Sequence, residues 1–239
     1  MSMELHPSLR DDAKRKLFIE KSLATYFVVG PQDVAPQGRD LLTTVREAVK
    51  GGTTFLQLRA KPADAREILQ MARAIDEILA ECPAQSRPLF VIDDRVDVAL
   101  AAQREGLRVD GVHVGQDDLP VSHASAMLAP GSVVGLSANT AATVTAADAV
   151  AADYLGIGAY HPTISKAGAG AGLGARRFAE LVKLAQVPVV AIGGVTAADA
   201  ADVAAAGASG LCVISAIAHA DDVRAATENL AAAWKRAIA

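Results

Sequence analysis

Eight times along the chain, a short apolar run is followed by a polar rim and then by a stretch with helical spacing. No other regularity in the sequence restricts the fold as strongly. The apolar runs fall at 24–29, 54–58, 89–92, 111–114, 132–136, 154–157, 188–192 and 210–214. Helices are expected at 40–49, 64–79, 96–104, 122–128, 141–150, 175–184, 197–205 and 221–238. Parallel strands need a crossover between them, so this alternation builds a parallel sheet. The runs are apolar throughout, which is the mark of strands covered on both faces. Eight such units in 239 residues suit a closed ring better than an open doubly wound sheet. The open sheet would place a glycine turn for a nucleotide after its first strand, and the chain reads GPQDVAPQG there. The expectation is α/β: a single (β/α)8 TIM barrel over 23–239 with an extra N-terminal helix in a 1–22 extension. That helix is expected over 7–22, with Leu9, Leu17 and Phe18 on its inner side. No linker or shift of composition divides 1–239, so one domain is expected.

Composition narrows the partners. Net charge is −4 and the pI about 5.7, which argues against a broad nucleic-acid surface. Any phosphate site should therefore be local. No run of eighteen apolar residues suggests a membrane span. The N-terminal stretch carries charges where a signal peptide needs its apolar core. Cys82 and Cys212 lie far apart with no CxxC pair. A reducing compartment, the cytoplasm, is expected, and a cysteine metal site is not. The sequence leaves the oligomeric state open, with a homo-oligomer among the options.

The active site of such a barrel lies at the C-terminal ends of its strands, so the residues there matter most. After the second strand come Gln57, Arg59 and Lys61; after the third, Asp93, Asp94 and Arg95. After the fourth come Gln116, Asp117 and Asp118, and after the fifth Ser137, Asn139 and Thr140. After the sixth come His161, Thr163, Ser165 and Lys166. The 93/94 and 117/118 carboxylates sit on adjacent strands. Hard oxygen ligands with room for water suit Mg²⁺, which usually takes ligand phosphates as further partners. Arg59, Lys61 and Lys166 would meet those phosphates. Taken singly, each Asp also fits a helix N-cap, and each Lys a solvated surface. The site reading rests on cations and anions alternating around one rim. AIGGV at 191–195 and VISAI at 213–217 follow strands seven and eight, where these barrels commonly build a phosphate cradle. The loop over 156–174 is too long for a simple connection, which leaves a functional segment such as a lid or a disordered one. Within it His161 suits either an acid/base role or simple bonding to its neighbours. The remaining histidines, His6, His113, His123 and His219, show no ligand spacing.

Several segments in order resemble the motifs of thiamine phosphate synthases (thiamine-phosphate pyrophosphorylases). They are QLRAK (57–61), IDDRVDVAL (92–100), DGVHVGQDDLP (110–120), GLSANT (135–140), DYLGIGAYHPTISK (153–166), PVVAIGGV (188–195) and VISAI (213–217). GQDDLP and PTxSK are the most specific. The resemblance spans about residues 24 to 235. It implies a transferase that joins 4-amino-2-methyl-5-(diphosphooxymethyl)pyrimidine to a thiazole phosphate, carboxylated or not. Thiamine phosphate and diphosphate are the products, by a dissociative, magnesium-assisted route with one Mg²⁺ per subunit. Gln57, Arg59 and Lys61 would then hold the pyrimidine diphosphate, and Asp94 and Asp118 match the metal-binding aspartates. Ser137 and Lys166 match further diphosphate contacts. Thr163 and Ser165 match thiazole-side contacts, and Gly194, Ile214 and Ser215 the thiazole phosphate cradle.

The chain departs from that pattern at three places. Asp93, itself expected at the substrate, stands where the family usually has Asn. Asn139 replaces a frequent His, and Ala159-Tyr160-His161 replaces the usual Pro-x-aromatic. Two rival functions remain on the same fold: a thiazole tautomerase-like relative, and a non-catalytic barrel that binds a phosphate ligand. The full set Arg59, Lys61, Asp94, Asp118 and Lys166 favours the synthase over both.

Overall fold

The computed structural model describes residues 6–10, 12–162 and 172–239. Its strands are β1 (Thr25–Val29), β2 (Phe55–Leu58), β3 (Leu89–Asp93), β4 (Gly111–Val114), β5 (Val133–Ala138), β6 (Tyr154–Ile157), β7 (Val189–Ile192) and β8 (Gly210–Val213). Each pairs in parallel with the next, and β8 returns to β1, so the sheet closes into a barrel in sequence order. The helices are α1 (Asp12–Ser22), α2 (Pro31–Val34), α3 (Leu41–Lys50), α4 (Ala65–Ala80), α5 (Val96–Glu105) and α6 (Val121–Met127). They continue with α7 (Ala141–Thr145), α8 (Ala147–Ala151), α9 (Gly174–Val182), α10 (Ala200–Ala205), α11 (Ser215–Ala218) and α12 (Val223–Ala237). Among the described residues, no helix is long and apolar enough to cross a membrane.

The strands obey a period of two, and this is what aims the site. Phe27, Val29, Leu56, Leu58, Phe90, Ile92, Val112 and Val114 belong to the large core between the sheet and the helices. Tyr26, Val28, Phe55, Leu89, Val91, Val133, Tyr154, Val190 and Cys212 form a second core inside the barrel. Successive strand residues face opposite sides. Carried one or two residues further, the inward set reaches Gln57, Asp93, His113 and Ser137. Gly135 makes room in this interior: a Cβ there would fall 2.1 Å from Cζ of Tyr154.

The N-terminal extension closes the end of the barrel opposite the site. A 3-10 turn over Pro7–Arg10 precedes α1. Leu9, Ile19 and Leu23 join the inner core. Arg15 donates to Ser132 O at 2.8 Å and to Asp153 Oδ2 at 3.0 Å, just ahead of β5 and β6. The helix expected over 7–22 is thus a 3-10 turn followed by a shorter helix, and the inner side of this extension is Leu9 in the turn and Ile19 in α1, with Phe18 partly buried. Leu17, expected there, is 53% exposed. At the same end Asp110 is fully buried and accepts from both Arg87 Nη atoms, at 2.8 and 2.9 Å, and from the N–H groups of His6 and Phe90.

Most helices start where their caps say. The Asp40, Asp64 and Asp222 carboxylates accept from N–H groups at the starts of α3, α4 and α12. Three further local features differ from the sequence reading. The helix expected over 141–150 is broken at Ala146, whose backbone is extended at φ −63° and ψ 156°. Thr143 and Thr145 hydroxyls bond to Thr140 and Ala141 carbonyls just before the break, competing with the helix ladder. The loop after β1 contains α2 and a further 3-10 turn. The loop after β8 contains α11 ahead of the expected long helix.

Candidate active site

A cavity of about 500 Å³ opens at the C-terminal mouth of the barrel, a size that suits a small organic ligand. Its lining includes Gln57, Arg59, Lys61, Asp93, Asp94, Asp118, Ser137, Gly194, Ile214 and Ser215. Every residue within the described chain that the resemblance assigns to the site thus meets at one place. Asp117 and Asn139 line it too. Thr163, Ser165 and Lys166 lie outside the described residues.

The charged wall is built by β2, β3 and β4. Asp93 ends β3, and its side chain is only 10% exposed. Its Oδ1 accepts from Gln57 Nε2 at 2.6 Å. Its Oδ2 lies 3.6 Å from Arg59 Nε and 3.5 Å from Lys61 Nζ. Burial, helped by the charge of Asp94, pushes the Asp93 carboxyl up to about 6, against the pull of Lys61 and Arg59. Asp94 follows at φ 57°, in the left-handed region. Asp tolerates that region better than most residues, and such positions gather at functional sites. Its N–H donates to His113 O at 2.8 Å, which extends the β3–β4 ladder to the rim. Lys61 Nζ bonds to Asp94 Oδ2. Burial pulls the Lys61 ammonium down, but Asp94 and Asp93 outweigh it and hold it above the ordinary lysine value.

Asp118 turns back so that its Oδ2 accepts from Gly115 N at 2.8 Å. Burial raises its pKa and the neighbouring Asp94 pushes it the same way, while the Gly115 N–H opposes. Asp94 and Asp118 are therefore within interacting reach. Two carboxylates so placed repel unless a proton or a cation lies between them. Among the described residues no three His, Cys, Asp or Glu side chains form a metal cage. Mg²⁺ does not require one: it is usually held by one or two carboxylates, ligand phosphates and water. The donor set fits that ion.

The opposite wall is different in kind. β7 and β8 stand four places around the ring from β3 and β4. Gly193 and Gly194 have φ of 91° and 70°. A Cβ on Gly194 would fall 2.8 Å from His161 Cβ. Ile214 and Ser215 face the same cavity. His161 is not in the lining; its Nε2 lies 2.8 Å from Asp199 Oδ1, and its ring meets that of Tyr160 edge-on.

Sequence reasoning missed part of the floor. His113 lines the cavity and is bonded on both ring nitrogens, to the Tyr154 hydroxyl and to Ser137 Oγ, each at 3.0 Å. The signal was present in GVHV: Val112 and Val114 face outward, so His113 had to face in.

Known proteins are similar to this chain in sequence and in fold. A family model described as thiamine monophosphate synthase matches residues 25–217. The thiamine-phosphate synthase of Xanthobacter autotrophicus is 44% identical over 211 residues, covering 88% of this chain and 95% of that one. That of Moorella thermoacetica is 40% identical over 193 residues, covering 81% and 88%. A solved thiamine phosphate pyrophosphorylase from Pyrococcus furiosus superposes with a TM-score of 0.78 at 33% identity, covering 92% of this chain and all of that one. Sequence, fold and relatives lead to one conclusion: the chain belongs to the thiamine monophosphate synthase family of transferases.

Proposed function

We propose that the chain is a thiamine-phosphate synthase. It joins 4-amino-2-methyl-5-(diphosphooxymethyl)pyrimidine to a thiazole phosphate and releases diphosphate. One observation carries this reading: Arg59, Lys61, Asp93, Asp94 and Asp118 converge on one wall of a single cavity, and the β7 and β8 loops face them across it.

The chain's residues divide the work. Arg59 and Lys61 place positive charge where the diphosphate would leave, with Lys166 as a third cation in the same role. Asp94 and Asp118 would hold one Mg²⁺. Bound there, that ion would add positive charge against the leaving diphosphate. In a dissociative path the methylene carbon–oxygen bond breaks first. Charge grows on the departing oxygens, so cations fixed before the reaction stabilise the transition state more than the ground state. The pyrimidine-stabilised methylene cation is then captured by the thiazole nitrogen. Gly194, Ile214 and Ser215 would hold the thiazole phosphate on the far wall, and Thr163 and Ser165 keep the thiazole-side role that the resemblance implies. Two anion sites on opposite walls bring the nitrogen and the cation together between them.

The test is diphosphate release from the two substrates in the presence of Mg²⁺, with thiamine phosphate identified by mass. Release that needs both substrates supports the proposal. Isomerisation of the thiazole without diphosphate release would move the chain to the tautomerase-like reading.

A further inference from the structure

A hydrogen-bonded chain crosses the inside of the barrel beneath the cavity. Gln57 Nε2 donates to Asp93 Oδ1 at 2.6 Å. The Tyr26 hydroxyl donates to Gln57 Oε1 at 2.9 Å and lies 2.7 Å from the Tyr154 hydroxyl. From there the links to His113 Nδ1 and from His113 Nε2 to Ser137 Oγ are each 3.0 Å. Six adjacent strands, β1 to β6, supply one member each. Tyr26, Gln57, His113 and Tyr154 are all buried. Burial holds both phenols well above the ordinary tyrosine value, so each keeps its single proton.

The chain has a direction, and chemistry at one end fixes it. Asp93 Oδ2 faces the Arg59 and Lys61 cations at 3.6 and 3.5 Å, so this carboxylate accepts from Gln57 and has no proton to give. Gln57 must therefore turn its NH2 toward Asp93 and its carbonyl toward Tyr26. The Tyr26 proton is then committed to Gln57, so between the phenols Tyr154 is the donor. With the Tyr154 proton also committed, His113 must carry a proton on Nδ1. A neutral ring leaves Nε2 as an acceptor, and the Ser137 proton goes to it. Ser137 then turns only oxygen lone pairs to the cavity.

We propose that Asp93 sets the direction of this chain and thereby makes Ser137 an acceptor for an N–H group on the ring bound in the cavity. This differs from the diphosphate contact that the resemblance implies for Ser137. A hydroxyl whose proton is spent on His113 has none to give a phosphate oxygen. An Asn at position 93 can offer either its carbonyl or its NH2 to Gln57, so both directions open. The identity of the ring as an aminopyrimidine rests on the proposed function; the proton positions do not.

Two measurements test the inference. Nitrogen-15 NMR of His113 should show the Nδ1–H neutral tautomer in the wild type. An Nε2–H tautomer or a doubly protonated ring there overturns the proposal. In Asp93→Asn, a second tautomer should appear beside the first. An unchanged, pure Nδ1–H signal overturns the role given to Asp93. Calorimetry with 4-amino-2-methylpyrimidine and 2-methylpyrimidine then reads the ligand side. The wild type should prefer the amino compound, and Tyr26→Phe, which cuts the chain midway, should lose about 3- to 10-fold of that preference. Asp93→Asn gives the same reading with less disturbance to the core. A wild type that releases diphosphate from both substrates yet shows no amino preference overturns the proposal alone. Absence of that release overturns the proposed function, while the NMR result still decides the direction of the chain.

Discussion

Asp94 is the residue whose geometry is hardest to explain without a function. It sits at φ 57° on the rim, bonded to Lys61 and within reach of Asp118. Asn tolerates the same backbone region and keeps the shape while removing the charge. Asp94→Asn should lower kcat/KM at least about 100-fold, with a melting temperature within about 4 °C of the wild type. Activity close to wild type in limiting Mg²⁺ would remove Asp94 from the metal site. At Gly194 the constraint is steric. Gly194→Ala forces a side chain into φ 70° and against His161 Cβ. It should raise KM for the thiazole phosphate while sparing that for the pyrimidine diphosphate, as should Ser215→Ala. Steady-state kinetics with each substrate varied in turn would show it, and a selective effect on the pyrimidine would contradict the assignment of the far wall.

At the scale of elements, the chain was legible where periodicity speaks and silent where it does not. Each strand was visible as an apolar run, and Asp40 and Asp64 marked the starts of their helices. The break at Ala146 was not visible, because alanine and threonine carry no turn signal comparable to Gly or Pro. α2 and α11 are four residues each, too short for a period of 3.6 to register. Gln57, Arg59, Lys61, Asp94 and Asp118 could be picked out because the barrel rule names the strand ends as the site. The Tyr26–Tyr154–His113 chain could not, since β1, β6 and β4 meet across the interior only after the ring closes. Short α2 also carries a titratable group. Asp33 is nearly buried, and burial holds its carboxyl above the ordinary value despite the Gly30 N–H and the Arg59 charge. A carboxyl raised on folding stabilises the folded chain fully below the unfolded pKa, about 3.9, and that contribution is lost as pH rises through the folded value. Asn has no such proton to lose. The melting temperature of Asp33→Asn relative to wild type should therefore climb as pH rises from about 4. A flat or falling difference would place the raised carboxyl elsewhere.

Across the whole molecule, the barrel separates chemistry from stability. The C-terminal mouth holds the charged wall and the glycine turns. The opposite end is closed by α1 and held by the buried Arg87–Asp110 pair, with side-chain exposures of 4% and 0%. Removing one partner of such a pair leaves the other charge buried and unpaired, at about 3–5 kcal/mol. Arg87→Ala should lower the melting temperature by roughly 10 °C, while turnover well below that temperature is retained. A loss of turnover without a loss of stability would contradict the division. At the C-terminal mouth we propose that acidic and basic side chains from separate strands grip a metal-bound diphosphate. That grip is tested most directly by thermal unfolding with diphosphate and Mg²⁺, alone and together, in the wild type and in Asp118→Asn. Ligand at about 100 times its Kd stabilises by about 2.7 kcal/mol, or about 5–10 °C here. That shift is expected for the wild type with both ligands present, and its loss in Asp118→Asn. An equal shift in both proteins, or none in the wild type, would contradict the proposal.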